Sequence, residues 1–566
     1  MDYYLEPPKN IPILGTYDLC VLGGGCTGVF AAVRAARLGV RVALIERNGY
    51  LGGMSTQAGI NVWHSIYDFA FENQIIAGLT CEVLDALRIR GDLIERKKQL
   101  NMFILNTEEL KIELDRLVIR EKIDVYFHSV YAAPIYHTAS ALKGILLENK
   151  DGRRALLAKI FIDATGDGDL CRDIHIPKNV NLDFMNPPTM CCRIYKKKDY
   201  PRLITDLLRE HGEEFGLEDD WGWNTDIPGI PQERFLAETH VLRLPCISAE
   251  NITRAEVEGR EQIRAIVDLL RKYMPDGDPV RISAIADTVG IREGNLYHTE
   301  YCLKDIDVLG SGEAFSDTIL NSAYPMDIHH DNATGLTMRY LDGTEKICNR
   351  AGVHYRRWRK EQEINPIYWR APYRMMLTHK MDNVLVAGRM IYCEHGAFSA
   401  LRVRINLNQL GEAAGVATYL ALCEDNNVKK IDVGRMQTLL RQGGSILLKK
   451  EGNAMIGSGS EAKCADNTMD EIQRAEQIAI YGAGVIAQHT YLLIKNLFHK
   501  KFLGFWVSEW NPSDVKQAMT REMYHQPIYG LRKTPIPTGT LTIICVSQKY
   551  KEEIESTLSR ESYPIH

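Results

Sequence analysis

The stretch from Tyr17 to Thr56, YDLCVLGGGCTGVFAAVRAARLGVRVALIERNGYLGGMST, constrains the fold more than any other part of this chain. Leu19 to Leu22 is an apolar run the length of one buried strand, and it delivers Gly23, Gly25 and Gly28 in the spacing G-x-G-x-x-G. Val29 to Leu38, rich in Ala, Arg and Leu, predicts a helix ending at Gly39. A second apolar run, Val40 to Ile45, closes on Glu46. This is the pattern of a βαβ dinucleotide unit. Gly23 permits the tight turn out of the strand, Gly25 lets a pyrophosphate approach the backbone, and Gly28 lets the helix pack close to the strand. Cys26 and Thr27 lie between these glycines, where unpaired N–H groups at the positive end of the helix face the phosphates. Glu46, 18 residues beyond Gly28, is placed to accept hydrogen bonds from a ribose 2′-hydroxyl and disfavours a 2′-phosphate, so NADP fits poorly.

The glycine pattern alone leaves an NAD-binding Rossmann domain open. The continuation, RNGYLGGMST, supplies Arg47, a second glycine pair at Gly52 and Gly53, and then Ser55 and Thr56, which predicts a loop wrapping the cofactor. This arrangement resembles the FAD-dependent oxidoreductases of the glutathione reductase structural class. In that class the post-strand acid binds the adenosine ribose and a GG-x-x-T segment runs beside the flavin. Within it, residues 17 to 448 are most similar to the large bacterial family called simply FAD-dependent oxidoreductases, distantly related to the fumarate reductase and succinate dehydrogenase flavoproteins.

A length of 566 residues is too great for one core and predicts several domains. Hydrophobic residues at 45% and charged residues at 25% give an ordinary globular balance. A net charge of −5 without a basic stripe argues against nucleic acid, and Lys196 to Lys198 reads as a solvated turn. No apolar run approaches a membrane span and the first residues lack a signal-peptide pattern, so a cytoplasmic protein is expected. The thirteen cysteines include no C-x-x-C pair; most are expected as small buried hydrophobes, and no metal site is expected. Alternation would turn only one of Cys191 and Cys192 toward a site.

Along the chain, helices are predicted over Asp68 to Arg90 and over Thr107 to Glu121, the latter capped by Thr107. Strand-like runs at Val125 to Val130, Ala141 to Leu147 and Ala155 to Ile160, with a hairpin turn at Asn149 to Gly152, lead into FIDATGDGD, Phe161 to Asp169. This resembles the β-meander and A-T-G strand of the same flavoproteins, which implies that Gly166 passes close to the cofactor and Asp167 lies near its phosphates or ribitol. Residues 181 to 350 lose the Rossmann rhythm, carry a helix near Arg254 to Tyr273, and read as an inserted α+β substrate domain forming a lid. Within it, Asp287 to Tyr301 resembles a family segment that is usually Arg-rich, but only Arg292 is present here, with Asn295 and Leu296 in place of the basic pair. The FAD domain returns over 351 to 448. Asn383 to Ala387 with Gly388 and Arg389, followed by a helix from Leu410 to Leu422 opening at Gly411, Ala414 and Gly415, resembles the family's D-N-L-x-V-A-G-R strand and G-x-A-A-G helix. The resemblance implies that this helix N-terminus faces the flavin pyrimidine ring.

Residues 449 to 470 read as a linker, and 471 to 566 as a small Rossmann-like domain, with a strand at Gln477, a helix to His499, strands at Phe502 to Val507 and Thr540 to Val546, and a last helix over Lys549 to Leu558. Glu509 is placed to bind a ribose; a nucleotide or a partner protein is expected there. The fold class is therefore α/β: a Rossmann-like FAD-binding domain of residues 1 to 180 and 351 to 448, the inserted lid, and the C-terminal domain.

Flavin carries hydride chemistry, so the protein must orient a small-molecule substrate and supply acid, base and countercharge. His395 and Arg402 match family positions between the Gly388 strand and the Gly411 helix. His395 is a proton-transfer candidate and Arg402 an anchor for an anionic group. Arg374 in the APYR segment matches the family's P-Y-R, and Asp327 and His329 in PMDIHH are expected from the lid. Each of these also has a structural reading, as an ion-pair partner or a strand-end cap. His64 is a candidate for contact with the isoalloxazine, and a glycine where related reductases attach flavin to His predicts noncovalent FAD. The leading expectation is hydride transfer between FAD and a carbohydrate or hydroxy acid, with the electron acceptor open. A non-redox isomerase or hydratase and an FAD-stabilised scaffold are the alternatives.

Overall fold

β1 (Ile13–Leu22) enters the glycine turn and is followed by α1 (Cys26–Arg37) and β2 (Val42–Ile45). The computed structural model describes residues 4–448, apart from 97–101, 180–184, 196–203, 219–221, 275–279, 311–314, 332–334, 350–351 and 362–365. Beyond these it describes 475–481, 501–507, 522–523, 526–530, 536–537 and 540–544. The Lys196 cluster, the 449–470 linker, Glu509, the helix to His499 and the Lys549 to Leu558 helix lie outside the described residues. The chain divides into two compact units, Met1–Glu451 and Gly452–His566.

In the first unit, β1 pairs in parallel with β2, Leu19 opposite Val42, and on its other side with Gly152–Asp163, Leu19 opposite Ile160. Asp124–Tyr126 extends the parallel set beyond β2, and Val384–Val386 pairs with the far end of Gly152–Asp163, Val384 opposite Phe161. Ala141–Asn149 and Val130–Thr138 complete the seven-stranded sheet as the antiparallel meander. Every residue of β2 and of Val384–Val386 is buried, as expected of parallel strands covered on both faces. The helix Arg404–Leu422 packs along α1. Between them Arg34 pairs with Glu412, which also accepts the Leu79 backbone N–H at 3.0 Å and so fixes a third helix, Leu79–Arg90.

Several local expectations are corrected. The helix expected over Asp68 to Arg90 starts at Leu79. The Asp68 carboxylate accepts the backbone N–H groups of Glu72 and Asn73 in a turn, and Gly78 at φ +73° breaks the backbone before the helix. Asn106 rather than Thr107 caps the next helix, Thr107–Arg120, by accepting the Glu108 N–H. The run from Val125 to Val130 splits between the parallel strand Asp124–Tyr126 and the meander strand Val130–Thr138. The late helix starts at Arg404, six residues before Leu410.

The segment expected to form a lid contains a four-stranded antiparallel sheet, in the order Trp223–Ile227, Ile230–Ala237, Cys192–Tyr195 and Arg281–Ile285, backed by the helix Ala249–Tyr273. It has its own apolar core, which includes Ile194, Leu236, Ile263 and Val267. Cys192 belongs to that core and Cys191 to a separate cluster with Phe235, so the adjacent pair does face opposite ways. A second antiparallel meander runs from Met326–His329 through Leu336–Arg339 and Thr344–Asn349 to Gly352–Arg357.

In the second unit, Gln477–Tyr481 pairs in parallel with Lys501–Val507 and with Leu541–Ile544. Gln526–Gly530 continues the parallel set beside Lys501–Val507, and Glu522–Met523 closes the edge antiparallel.

Candidate functional site

The glycine turn is built for close approach. A Cβ on Gly28 would lie 1.9 Å from the Gly23 carbonyl oxygen, so only glycine lets α1 sit this near the end of β1. α1 begins at Gly25 with no side-chain cap and no acid in its first turn, which leaves the N–H groups around Cys26 and Thr27 for an anion. The second glycine pair folds back onto this turn: Gly25 bridges to Gly52, and a Cβ on Gly53 would lie 2.9 Å from Gly25 Cα. The Cys26 thiol donates to the Gly52 carbonyl at 3.5 Å, Ser55 Oγ accepts the Trp63 indole N–H at 3.3 Å, and the Thr56 hydroxyl donates to the Leu51 carbonyl at 2.6 Å. Glu46, at the end of β2, is buried. Its Oε2 accepts the Gly24 N–H at 2.7 Å and its Oε1 accepts the Asn48 N–H at 2.8 Å, which fixes the carboxylate against the turn. Arg47, next in the chain, is exposed.

The A-T-G and A-G-R segments meet at the ends of neighbouring parallel strands. The Arg389 guanidinium crosses over Gly166, and its Nη2 donates to Asp167 Oδ1 at 2.6 Å. Its Nη1 is buried without a hydrogen-bond partner among the described residues. Gly388 lies against Gly166: a Cβ there would come 4.0 Å from Gly166 Cα. Gly411 and Gly415 have a different task from the one expected. They sit in mid-helix, where a Cβ would lie 2.2 Å from the Thr27 carbonyl oxygen and 2.4 Å from that of Ala31, with Ala414 buried between them, so they let the helix Arg404–Leu422 press on α1. The free N-terminus of this helix lies at Val403 and Arg404, again without a side-chain cap.

A polar cluster is buried beside that N-terminus. Arg402 Nη2 donates to the backbone carbonyl oxygen of Asp327 at 3.1 Å and to its Oδ2 at 3.2 Å. The Tyr324 hydroxyl donates to the same Oδ2 at 3.2 Å, and His329 Nε2 stands 3.5 Å from Oδ1. Although burial opposes it, His329, Arg402 and Arg292 hold the Asp327 carboxyl well below the usual range. Burial drives His329 down to about 3, with Arg292 adding to the effect, so its ring is neutral at pH 7. His64 is tilted on Tyr324 with ring centroids 4.3 Å apart. It is lowered to about 4 by burial, and its Nδ1 is buried with no hydrogen-bond partner among the described residues.

Arg404 is the cation that the sequence did not single out. It has no ion pair among the described residues, its Nε is buried and unbonded, and burial lowers it to about 10 in the neighbourhood of Cys26, Cys191 and Arg402. His395 joins from the other side. Its Nδ1 lies 3.7 Å from Glu293 Oε2, which accepts the backbone and side-chain N–H groups of Asn186 at 2.9 and 2.7 Å. Asn186 Oδ1 in turn accepts the His329 backbone N–H at 2.9 Å. His395, His329 and Arg402 are thus brought together. Arg374 stands apart: it is 38% exposed, pairs with Asp317 at 2.5 Å and lies over the Tyr301 ring. Arg292 donates to the Pro187 carbonyl at 2.6 Å and to Thr189 Oγ1 at 2.5 Å.

These groups fit FAD. An uncapped helix start beneath a double glycine turn suits a pyrophosphate, and the second uncapped helix start suits a flavin ring and its charge. The model of the FAD dependent oxidoreductase family matches residues 18–440. The chain belongs to that family. It is an FAD-dependent oxidoreductase, and the Rossmann-like α/β architecture agrees with the assignment. Dihydrolipoyl dehydrogenase of Trypanosoma brucei brucei is 46% identical over 167 residues, 28% of this chain and 32% of that enzyme. Digeranylgeranylglycerophospholipid reductase 2 of Methanothermobacter thermautotrophicus is 28% identical over 157 residues, 26% of this chain and 39% of that one. The enzyme therefore spans well under half the length of these curated relatives. Among solved structures, a geranylgeranyl bacteriochlorophyll reductase-like protein from Thermoplasma acidophilum covers 75% of this chain and 83% of its own, with 12% identity and a TM-score of 0.37. Among the described residues no helix is long and apolar enough to cross a membrane, and no group of three or more His, Cys, Asp or Glu is placed to hold a metal.

Proposed function

We propose that this enzyme moves a hydride between noncovalently held FAD and a small hydroxy acid seated between the flavin-binding sheet and the lid. The observation that carries the reading is Arg404, without an ion pair among the described residues, beside Arg402 and the Tyr324–Asp327 pair. A guanidinium with a buried, unbonded Nε and no countercharge among the described residues is costly, and a substrate carboxylate would supply one with bidentate geometry. Bound FAD supplies the two-electron acceptor. Arg404 holds the carboxylate, and Arg402 keeps Asp327 ionised and in place. His64 offers its free Nδ1 to the substrate hydroxyl oxygen. As the C–H hydride leaves, the hydroxyl proton passes to Tyr324, whose own proton moves to Asp327. A carbohydrate, the other substrate class considered, lacks a carboxylate and leaves Arg404 unanswered.

Arg404→Gln tests the assignment. KM for the best hydroxy acid is expected to rise by about 100-fold, in line with loss of a charge-assisted pair of roughly 2–3 kcal/mol, with FAD content unchanged. An unchanged KM would remove Arg404 from substrate binding. Acid precipitation is expected to release the flavin into the supernatant; yellow colour in the pellet would exclude noncovalent attachment.

A further inference from the structure

His329 is engaged at both ring nitrogens. Nε2 faces Asp327 Oδ1 at 3.5 Å, and Nδ1 lies 3.2 Å from Nε2 of His240, a residue of the lid. His240 is itself 5% exposed and is held by its backbone, which donates to Gln262 Oε1 at 3.0 Å and accepts from Gln262 Nε2 at 2.9 Å. It also forms part of the wall of a cavity of about 450 Å³ lined by Glu218, Arg243, Glu258, Glu261 and Arg264. That cavity reaches solvent, because the paired Arg243 and Glu218 side chains at its edge are 56% and 64% exposed. A continuous line of proton-carrying groups therefore runs from Tyr324 through Asp327, His329 and His240 to the outside, with contacts of 3.2, 3.5 and 3.2 Å.

We propose that this line is a proton relay joining the buried reaction centre to the lid cavity, with His240 as its gate residue. The proposal rests on the reading of Tyr324 and Asp327 as the reaction centre. Oxidation of a hydroxyl-bearing carbon sends two electrons and one proton as hydride to FAD and leaves the hydroxyl proton behind. A centre this buried needs a route for that proton. Tyr324, His329 and His240 each release one proton as they accept another, whereas Asp327, ionised at rest, takes up the proton and then passes it on, so all four return to their starting charge once the proton reaches the cavity. In the reverse direction the same line brings a proton in when FAD is reduced by a small external reductant, which takes up two electrons and one proton. His329 suits a relay better than a direct contact with substrate, since neither ring nitrogen is left over for one. A neutral His329 can accept and donate at once, which a permanently charged ring cannot.

The test uses the full-length FAD-loaded enzyme without any substrate, so its outcome is separate from whether hydroxy acids react. The flavin is reduced by a photochemically generated small reductant, while a pH-indicator dye in weak buffer follows proton uptake. In the wild type, uptake is expected to keep pace with loss of flavin absorbance and to slow in D2O. In His240→Gln, which keeps a hydrogen-bonding side chain but cannot change protonation state, uptake is expected to lag by about tenfold or more and to recover when imidazole is added. Uptake in step with reduction in H240Q, or a lag that imidazole leaves untouched, would overturn the relay. Should H240Q not fold, the wild type decides: an uptake rate identical in H2O and D2O would overturn it.

Discussion

Arg402 grips Asp327 twice, through the backbone carbonyl oxygen at 3.1 Å and the carboxylate at 3.2 Å, and so ties the segment just before the helix Arg404–Leu422 to a strand of the Met326 meander. Replacing Arg402 by Ala removes a buried countercharge and frees that strand edge. Substrate-driven loss of flavin absorbance is expected to fall by a factor of 100 or more, about 3 kcal/mol, while FAD remains bound. Stopped-flow absorbance on the R402A enzyme, compared with its visible spectrum, separates the two effects; wild-type bleaching would remove Arg402 from the mechanism.

The contact between α1 and the helix Arg404–Leu422 makes a purely structural prediction. A Cβ at Gly411 would stand 2.2 Å from the Thr27 carbonyl oxygen, a backbone atom that cannot swing aside. Gly411→Ala is expected to cost roughly 1–3 kcal/mol and to weaken FAD retention, because Thr27 lies in the first turn of α1, where the cofactor phosphates are expected. Thermal unfolding with and without added FAD reads both; an unaltered melting temperature would mean that the helices can separate freely.

His64 and His329 are held neutral by burial, at about 4 and about 3, below the ordinary histidine value of 6.5. Below pH 6.5 the unfolded chain binds protons at these sites and the folded chain does not. Stability is therefore full above pH 6.5 and falls as the pH drops toward 4, by at most about 1.4 kcal/mol per pH unit for each ring. Asp327, depressed in the fold, is ionised in both states over most of this window and adds little slope until the pH reaches the ordinary carboxylate range. His64→Asn is expected to flatten the slope of unfolding free energy between pH 6.5 and 4.5; an identical slope in denaturant titrations would mean that His64 is not held neutral.

The dinucleotide unit was legible because its signals are local: glycines at fixed spacing, a helix start and an acid at a strand end, all within forty residues of chain. The A-T-G and A-G-R segments were legible for the same reason. What the sequence hid depends on distant pairing. Arg404 carries no motif of its own, and its importance appears only once the described residues provide it no carboxylate. Asn406 and Asn408, weak helix formers, obscured the true start of the helix Arg404–Leu422. In the fold, the Asn406 side chain donates to the Ala400 carbonyl and that of Asn408 to Thr80, so tertiary hydrogen bonds override propensity. His240 lies 89 residues from His329, and only the packing of the lid brings their rings together. Arg374 shows the opposite case: a matching local segment whose side chain pairs with Asp317.

The central claim is hydride transfer from a hydroxy acid to noncovalently held FAD, and anaerobic titration of the purified yellow enzyme addresses it most directly. The account predicts stoichiometric loss of the flavin absorbance with at least one small 2-hydroxy acid and none with the matching hydroxyl compound that lacks the carboxylate. Turnover that requires prior reduction yet consumes no electrons, or bleaching that ignores the carboxylate, would contradict it.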